Sequence, residues 1–139
     1  MAFYGSSVRR LFQGVAAVPL GNSAFDGGWT TAAIGMLMHV AVAFTWSAVF
    51  LALYQRSGWL RARLASSAGV LATASLVGPL VWIAMSCAVI PLFTHRLPPI
   101  TIRWWIQFVG HAPFVGLPIV ASIASGRAAP AARGTASPA

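Results

Sequence analysis

Residues 30 to 54 read TTAAIGMLMHVAVAFTWSAVFLALY and contain no Asp, Glu, Lys or Arg. A helix of about 20 apolar residues crosses a hydrocarbon core roughly 30 Å thick. Lipid offers no hydrogen-bond partner to an open backbone, so a crossing segment must be helical. The stretch therefore predicts a transmembrane helix.

Two further segments, residues 65 to 93 and 104 to 125, are also apolar and also lack Asp, Glu, Lys and Arg. Over the whole chain 58% of residues are hydrophobic and 7% are charged, whereas soluble domains carry roughly 25% charged residues. The sequence predicts an all-α membrane protein in which residues 30 to 125 form a three-helix transmembrane bundle.

The two ends of the chain differ from this bundle. Residues 1 to 29 include the segment SSVRRLFQGVAAVPLG. In a helix, the apolar residues between Val8 and Val15 share one face, and Gln13 and two arginines lie largely on the opposite face. At about 12 residues this helix is too short to span, so it is predicted to be an interfacial or re-entrant amphipathic helix followed by a turn. Residues 126 to 139 lack an apolar face and are predicted to be disordered.

The charged side chains are nine arginines and one acid, Asp26, which give a formal net charge of +8. The arginines occur singly or in short groups between apolar segments, which favours lipid contact and topology control over nucleic acid binding. A compact group lies at residues 55 to 64, between two predicted spans. The positive-inside rule predicts that this loop and the C-terminus are cytoplasmic. Because the composition is rich in Ala, Gly and Arg and lacks Lys, we expect a bacterial inner membrane.

Three local patterns refine the bundle. Aromatic residues predict headgroup anchors near the span ends, at Trp29, Tyr54, Trp59, Trp104 and Trp105. Prolines predict bends within the second and third spans, at Pro79, Pro113 and Pro118. Small residues four positions apart predict close helix approach, within the chain or between copies, at Ala43 with Ser47, Ala74 with Gly78 and Ala112 with Gly116.

Two histidines lie inside the predicted spans. His39 is nine residues into the first span and His111 seven residues into the third, which places them roughly 13 Å and 10 Å deep from the same side. The same distance counted back from the end of the second span reaches Met85, Ser86 and Cys87. The sequence predicts that these five residues form one intramembrane polar layer.

The interpretation we favour is that the histidines hydrogen-bond neighbouring helices and hold the bundle together. Cys87 is then a small buried residue and Ser86 a helix-contact residue, and no metal site or cofactor is predicted. Two alternatives remain open. The imidazoles could bind haem iron axially, or copper(I) with soft ligands from the Met and Cys residues. A proton relay in an oligomeric transporter would use the two histidines alone.

Asp26, in FDGGW, lies just outside the first span. It is expected to pair with Arg103 or Arg96, or to cap the helix that begins near Trp29. A lone carboxylate without a second acid, a nucleophile and base, or a metal cluster supports no hydrolase or transferase mechanism. The chain is therefore expected not to be an enzyme.

The segments RRLFQGVAAVPLGNSAFDGG, GMLMHVAVAF, GPLVWIAMSCAVIPL and HAPFVGLPIV occur in this order. Together they resemble a family of small bacterial integral membrane proteins of unknown function, with a GG…GxxxH…VIPL…H…GLP pattern. The resemblance implies that His39 and His111 belong to that recurring pattern, and it implies no activity. We expect an accessory or scaffold subunit that packs in the bilayer with a membrane protein partner or as a homo-oligomer.

Overall fold

The computed structural model describes residues 7–126, of which 88% are helical and none forms a strand. The helices, in chain order, are α1 Val8–Leu20, α2 Gly28–Arg56, α3 Gly58–Arg63, α4 Ser67–Thr94 and α5 Ile102–Ser125. Of these, α2, α4 and α5 are long and apolar enough to cross a membrane. The predicted all-α fold, with three spans preceded by a shorter helix, is confirmed. The sequence predicts disorder for residues 126 to 139, and positions 127 to 139 lie outside the described residues.

The described residues fall into two compact units, and both α2 and α4 contribute to each of them. The first unit comprises residues 7–46 and 84–98, and the second comprises residues 47–83 and 99–126. The first therefore contains α1 and one part of two spans, and the second contains α3, α5 and the other part.

The ends of α1 follow from its capping residues. The Arg10 backbone N–H donates to the Ser7 hydroxyl oxygen at 3.3 Å, as an N-cap does. At the other end Gly21 adopts a φ of 69° and its N–H donates to the Ala17 carbonyl. Glycine reaches this conformation at no steric cost, so the helix stops at Leu20. Ser7 thus caps the start of α1, and Gly21 ends the helix.

The inward face of α1 is not the one that the amphipathic pattern predicts. Gln13 and Ala16 are buried, whereas Val8 and Leu11 are exposed. The helix packs against α2 at Gly35, where an added Cβ would overlap the carbonyl oxygen of Phe12. It also packs against Ile90–Thr94, the last turn of α4. The small size of Ala16 and Gly35 lets the backbones meet, and this brings Gln13 inward.

Both α4 and α5 contain a π-helical segment, at Ala84–Val89 and Ala112–Gly116 respectively. Each segment ends two residues before a proline, Pro91 in α4 and Pro118 in α5. Proline lacks an N–H and its ring crowds the carbonyl four residues earlier, and a wider turn relieves both problems. The helices therefore continue through their prolines with a local change of hydrogen-bond pattern.

In the second unit α4 and α5 cross with their backbones in contact. A Cβ added to Gly78 would overlap the His111 carbonyl oxygen and lie 2.7 Å from the Ala112 nitrogen. A Cβ added to Gly116 would overlap the Ala74 carbonyl oxygen and lie 2.8 Å from the Gly78 nitrogen. Two of the three predicted pairs, Ala74 with Gly78 and Ala112 with Gly116, thus form a crossing within the chain.

We predict that Gly78→Ala destabilises the protein by about 1–3 kcal/mol, because the added methyl group overpacks a backbone contact. Gly110→Ala is the matched control, since the nearest heavy atom to its added Cβ is Phe114 Cδ2 at 4.0 Å. That variant is expected to be neutral or to gain roughly 0.5–1 kcal/mol from helix propensity. Thermal unfolding in detergent, followed by circular dichroism, compares the two. Equal stability of the two variants would contradict the crossing.

Candidate functional site

A buried polar cluster closes the junction between α1 and α2. The Gln13 side chain is 2% exposed, and its Nε2 donates to the Gly28 carbonyl at 3.0 Å and the Phe25 carbonyl at 3.3 Å. The Thr31 hydroxyl donates to the Ala24 carbonyl at 2.6 Å. These bonds satisfy carbonyls of the short 3₁₀ helix Gly21–Phe25 and of Gly28, the first residue of α2, so the cluster fixes where the first span begins.

The first intramembrane histidine, His39, lies four residues after Gly35 on α2. Its ring centroid is 6.2 Å from that of Phe12 on α1, with the planes at 67°. The side chain is exposed on the surface of the chain. Within residues 7–126 the imidazole makes no hydrogen bond.

The predicted third wall of the polar layer lies in the π-helical segment of α4. Ser86 is 2% exposed, and its hydroxyl lies 3.5 Å from the Cys87 sulfur. Met85 is half-buried. Cys87 is exposed, so its predicted burial is wrong. Neighbouring helix positions face different directions, and turning Ser86 inward turns the thiol outward.

The second intramembrane histidine, His111, lies at the crossing of α4 and α5. Its Nδ1 lies 2.6 Å from the Gln107 carbonyl oxygen. A carbonyl oxygen only accepts, so Nδ1 carries the proton in this contact. The ring packs against Trp82 of α4, with centroids 4.7 Å apart. His111 therefore links the two helices through its ring, while the hydrogen bond from Nδ1 stays within α5.

An aromatic cluster extends from this contact. Trp104 stacks on Phe108, with centroids 5.6 Å apart and planes at 13°, and its centroid is 6.1 Å from that of Trp82. Trp104 is 9% exposed. Its predicted role as a headgroup anchor is therefore wrong, because the indole packs between helices instead. Tyr54 is also buried, whereas the predicted anchors Trp29, Trp59 and Trp105 are exposed.

The indole N–H groups of Trp82 and Trp104 are buried and have no acceptor in the part of the chain that the structure describes. An unsatisfied buried donor costs about 1–3 kcal/mol. Both indoles lie beside other aromatic rings, whose π faces are weak acceptors. Close ring packing is thus the main interaction of this cluster.

The structure assigns the predicted layer residues to different units. His39, Met85, Ser86 and Cys87 belong to the first unit, and His111 belongs to the second. A shared layer of all five stays a prediction. Among the described residues no three or more His, Cys, Asp or Glu side chains are grouped to hold a metal ion. The haem and copper alternatives stay predictions from the sequence.

Asp26 is exposed in the turn before α2, where its backbone N–H donates to the Ser23 carbonyl at 3.1 Å. Arg96 is exposed in the loop after α4, and Arg103 is exposed in the first turn of α5. The ion pair and the helix cap expected of Asp26 stay predictions.

Comparison of this chain with protein family models, with curated proteins and with solved structures gives no match. The family resemblance of the four sequence segments therefore stays a prediction.

We predict that Gln13→Leu loosens α1, because the carbonyls of Phe25 and Gly28 lose a buried donor at a cost of about 1–3 kcal/mol. Hydrogen exchange of the α1 amides is expected to accelerate about tenfold or more as the helix opens locally. Gln55→Leu replaces an exposed glutamine and is expected to leave this exchange unchanged. Unchanged protection of α1 in Gln13→Leu would contradict a structural role for the cluster.

Proposed function

We propose that this chain is a non-enzymatic accessory or scaffold subunit of a bacterial inner membrane. In this proposal its first span packs against a helix of a partner membrane protein or of a second copy. The observation that supports it is His39, an imidazole inside an apolar helix that is exposed and makes no hydrogen bond within residues 7–126.

A polar side chain in hydrocarbon has a high free energy unless it finds a hydrogen-bond partner. Burying a polar group without a hydrogen-bond partner is unfavourable, and lipid tails supply no partner. Polar residues in spans usually face a protein neighbour or water. A polar group on an adjacent helix would satisfy His39, and interhelical hydrogen bonds of this kind contribute roughly 0.6–1.7 kcal/mol.

The rest of α2 is consistent with a helix that associates through one face. Only 6% of its most apolar window is buried. Lipid tails cover exposed apolar side chains such as Leu37 and Phe44 as well as a protein would, so these give no drive to associate. Ala43 and Trp46 follow His39 on the same helical face at spacings of four and seven. Part of this face packs against α1 at Gly35, whereas His39 itself is exposed, so we place the interface at His39.

We predict that His39→Leu, which keeps the size of the side chain, weakens association about threefold to twentyfold through loss of one interhelical hydrogen bond. Energy transfer between labelled copies in liposomes measures self-association, and affinity purification in mild detergent measures a partner. Leu37→Ala is the control, because Leu37 is 70% exposed and lies on the opposite face of α2. A wild-type protein that is strictly monomeric and retains no partner from its native membrane would overturn the proposal.

Membrane orientation is the second part of the proposal, with the loop at residues 55 to 64 and the C-terminus in the cytoplasm. Cys87 is the one cysteine of the chain, so Cys87→Ser gives a cysteine-free background. In that background we expect Gln55→Cys to react with a membrane-impermeant maleimide only after permeabilisation. Asn22→Cys, before the first span, is expected to react in intact cells. The reverse pattern would contradict the proposed orientation.

A further inference from the structure

A cleft of about 400 Å³ lies beside the loop that joins α3 to α4. Its lining residues are Ala62, Arg63, Ser66, Ala68, Gly69 and Ala72. The volume is within the range of ligand pockets, roughly 300–1,000 Å³. The cleft and all the residues discussed with it belong to the second unit.

Local hydrogen bonds hold the walls of this cleft in place. The Leu60 N–H donates to the Ser57 hydroxyl oxygen at 3.2 Å and caps α3. The Gly69 N–H donates to the Ser66 hydroxyl oxygen at 3.1 Å. A Cβ on Gly69 would overlap the Arg63 carbonyl oxygen, so the end of α3 and the start of α4 are in backbone contact. The Ser66 hydroxyl accepts in its bond and retains its own proton to donate.

Arg63 supplies the charge of the cleft. Its guanidinium carbon lies 5.8 Å from the ring centroid of Trp59, a cation–π contact that restricts the side chain. The Trp59 ring is itself 70% exposed. A restricted guanidinium loses less conformational freedom when it binds an anion, and its paired N–H donors match the geometry of a phosphate group.

The chain carries far more positive than negative charge. It has nine arginines and one acidic side chain, which give a formal net charge of +8. Arg61 donates from Nη1 to the carbonyl oxygens of Tyr54, at 3.3 Å, and Gln55. It thereby covers carbonyls at the end of α2. This net positive charge favours binding of anions from outside the chain.

We propose that this cleft binds a phosphate group, with Arg63 and the Ser66 hydroxyl as donors. The loop joins the end of one membrane-spanning helix, α2, to the start of another, α4. Span ends lie at headgroup level, where exposed Trp and Arg side chains are favoured and anionic phospholipids present their phosphates. The site does not depend on the proposed packing of α2 against a partner.

Native mass spectrometry of the full chain in detergent tests the proposal, with phosphatidylglycerol, phosphatidylcholine and inorganic phosphate as separate probes. We expect phosphatidylglycerol to bind more tightly than phosphatidylcholine. Arg63→Gln is expected to weaken that binding about fivefold or more, as for one arginine at an anionic surface. Ala72→Leu fills the cleft without changing charge and is expected to weaken binding too. Arg96→Gln, which removes an exposed arginine of the first unit, is expected to have no effect.

Each result either identifies the source of the phosphate group or contradicts the proposed site. Binding of inorganic phosphate that depends on Arg63 supports the site and identifies free phosphate as a ligand, whereas binding of phosphatidylglycerol alone identifies the lipid. Equal retention of both lipids would overturn the proposal. So would equal weakening by Arg63→Gln and Arg96→Gln, because that would indicate attraction by overall charge. Circular dichroism confirms that each variant is folded.

Discussion

The backbone of α4 at Gly78 touches the backbone of α5 at His111 and Ala112, and the second unit depends on that contact. Lipid tails are as apolar as leucine, so no hydrophobic effect drives two helices together inside a membrane. Dispersion between closely packed atoms has to supply the attraction, and it falls steeply when a gap opens. Glycines at positions 78 and 116 remove the side chains that would hold the backbones apart. The stacking of His111 on Trp82 becomes available only because the helices are this close.

The crossing coincides with a departure from regular helix geometry. On α5 it uses Ala112 and Gly116, the two ends of the π-helical segment. Pro113 lies inside that segment, and Pro118 follows it. The wider turn accommodates Pro118, and this turn sets which residues face α4. The prolines therefore help to determine the packing, as well as the local shape of the helix.

Composition and spacing were sufficient to predict the three spans, the short helix before them and the small residues at the crossing. Each of these follows from a local rule about length, capping or side-chain size. The errors concern residues whose place depends on a neighbour distant in sequence. Gln13 is buried because carbonyls twelve and fifteen positions later need a donor. Trp104 is buried because Trp82 of another helix lies beside it. Cys87 is exposed because its neighbour Ser86 is turned inward in the π-helical segment of α4.

The two intramembrane histidines look equivalent in the sequence and differ in the structure. His111 is half-buried, hydrogen-bonded through Nδ1 and packed against an indole, so its polarity is accommodated within its own unit. His39 is exposed and lies against one phenyl ring. A polar group that is hydrogen-bonded within its own unit contributes to folding. An exposed polar group can form a hydrogen bond with another molecule. The same reasoning applies to Arg61, which covers carbonyls at the end of α2, and to Arg63, which lines an open cleft. In each pair the first residue is hydrogen-bonded within its own unit, and the second is the one for which we propose a partner outside the chain.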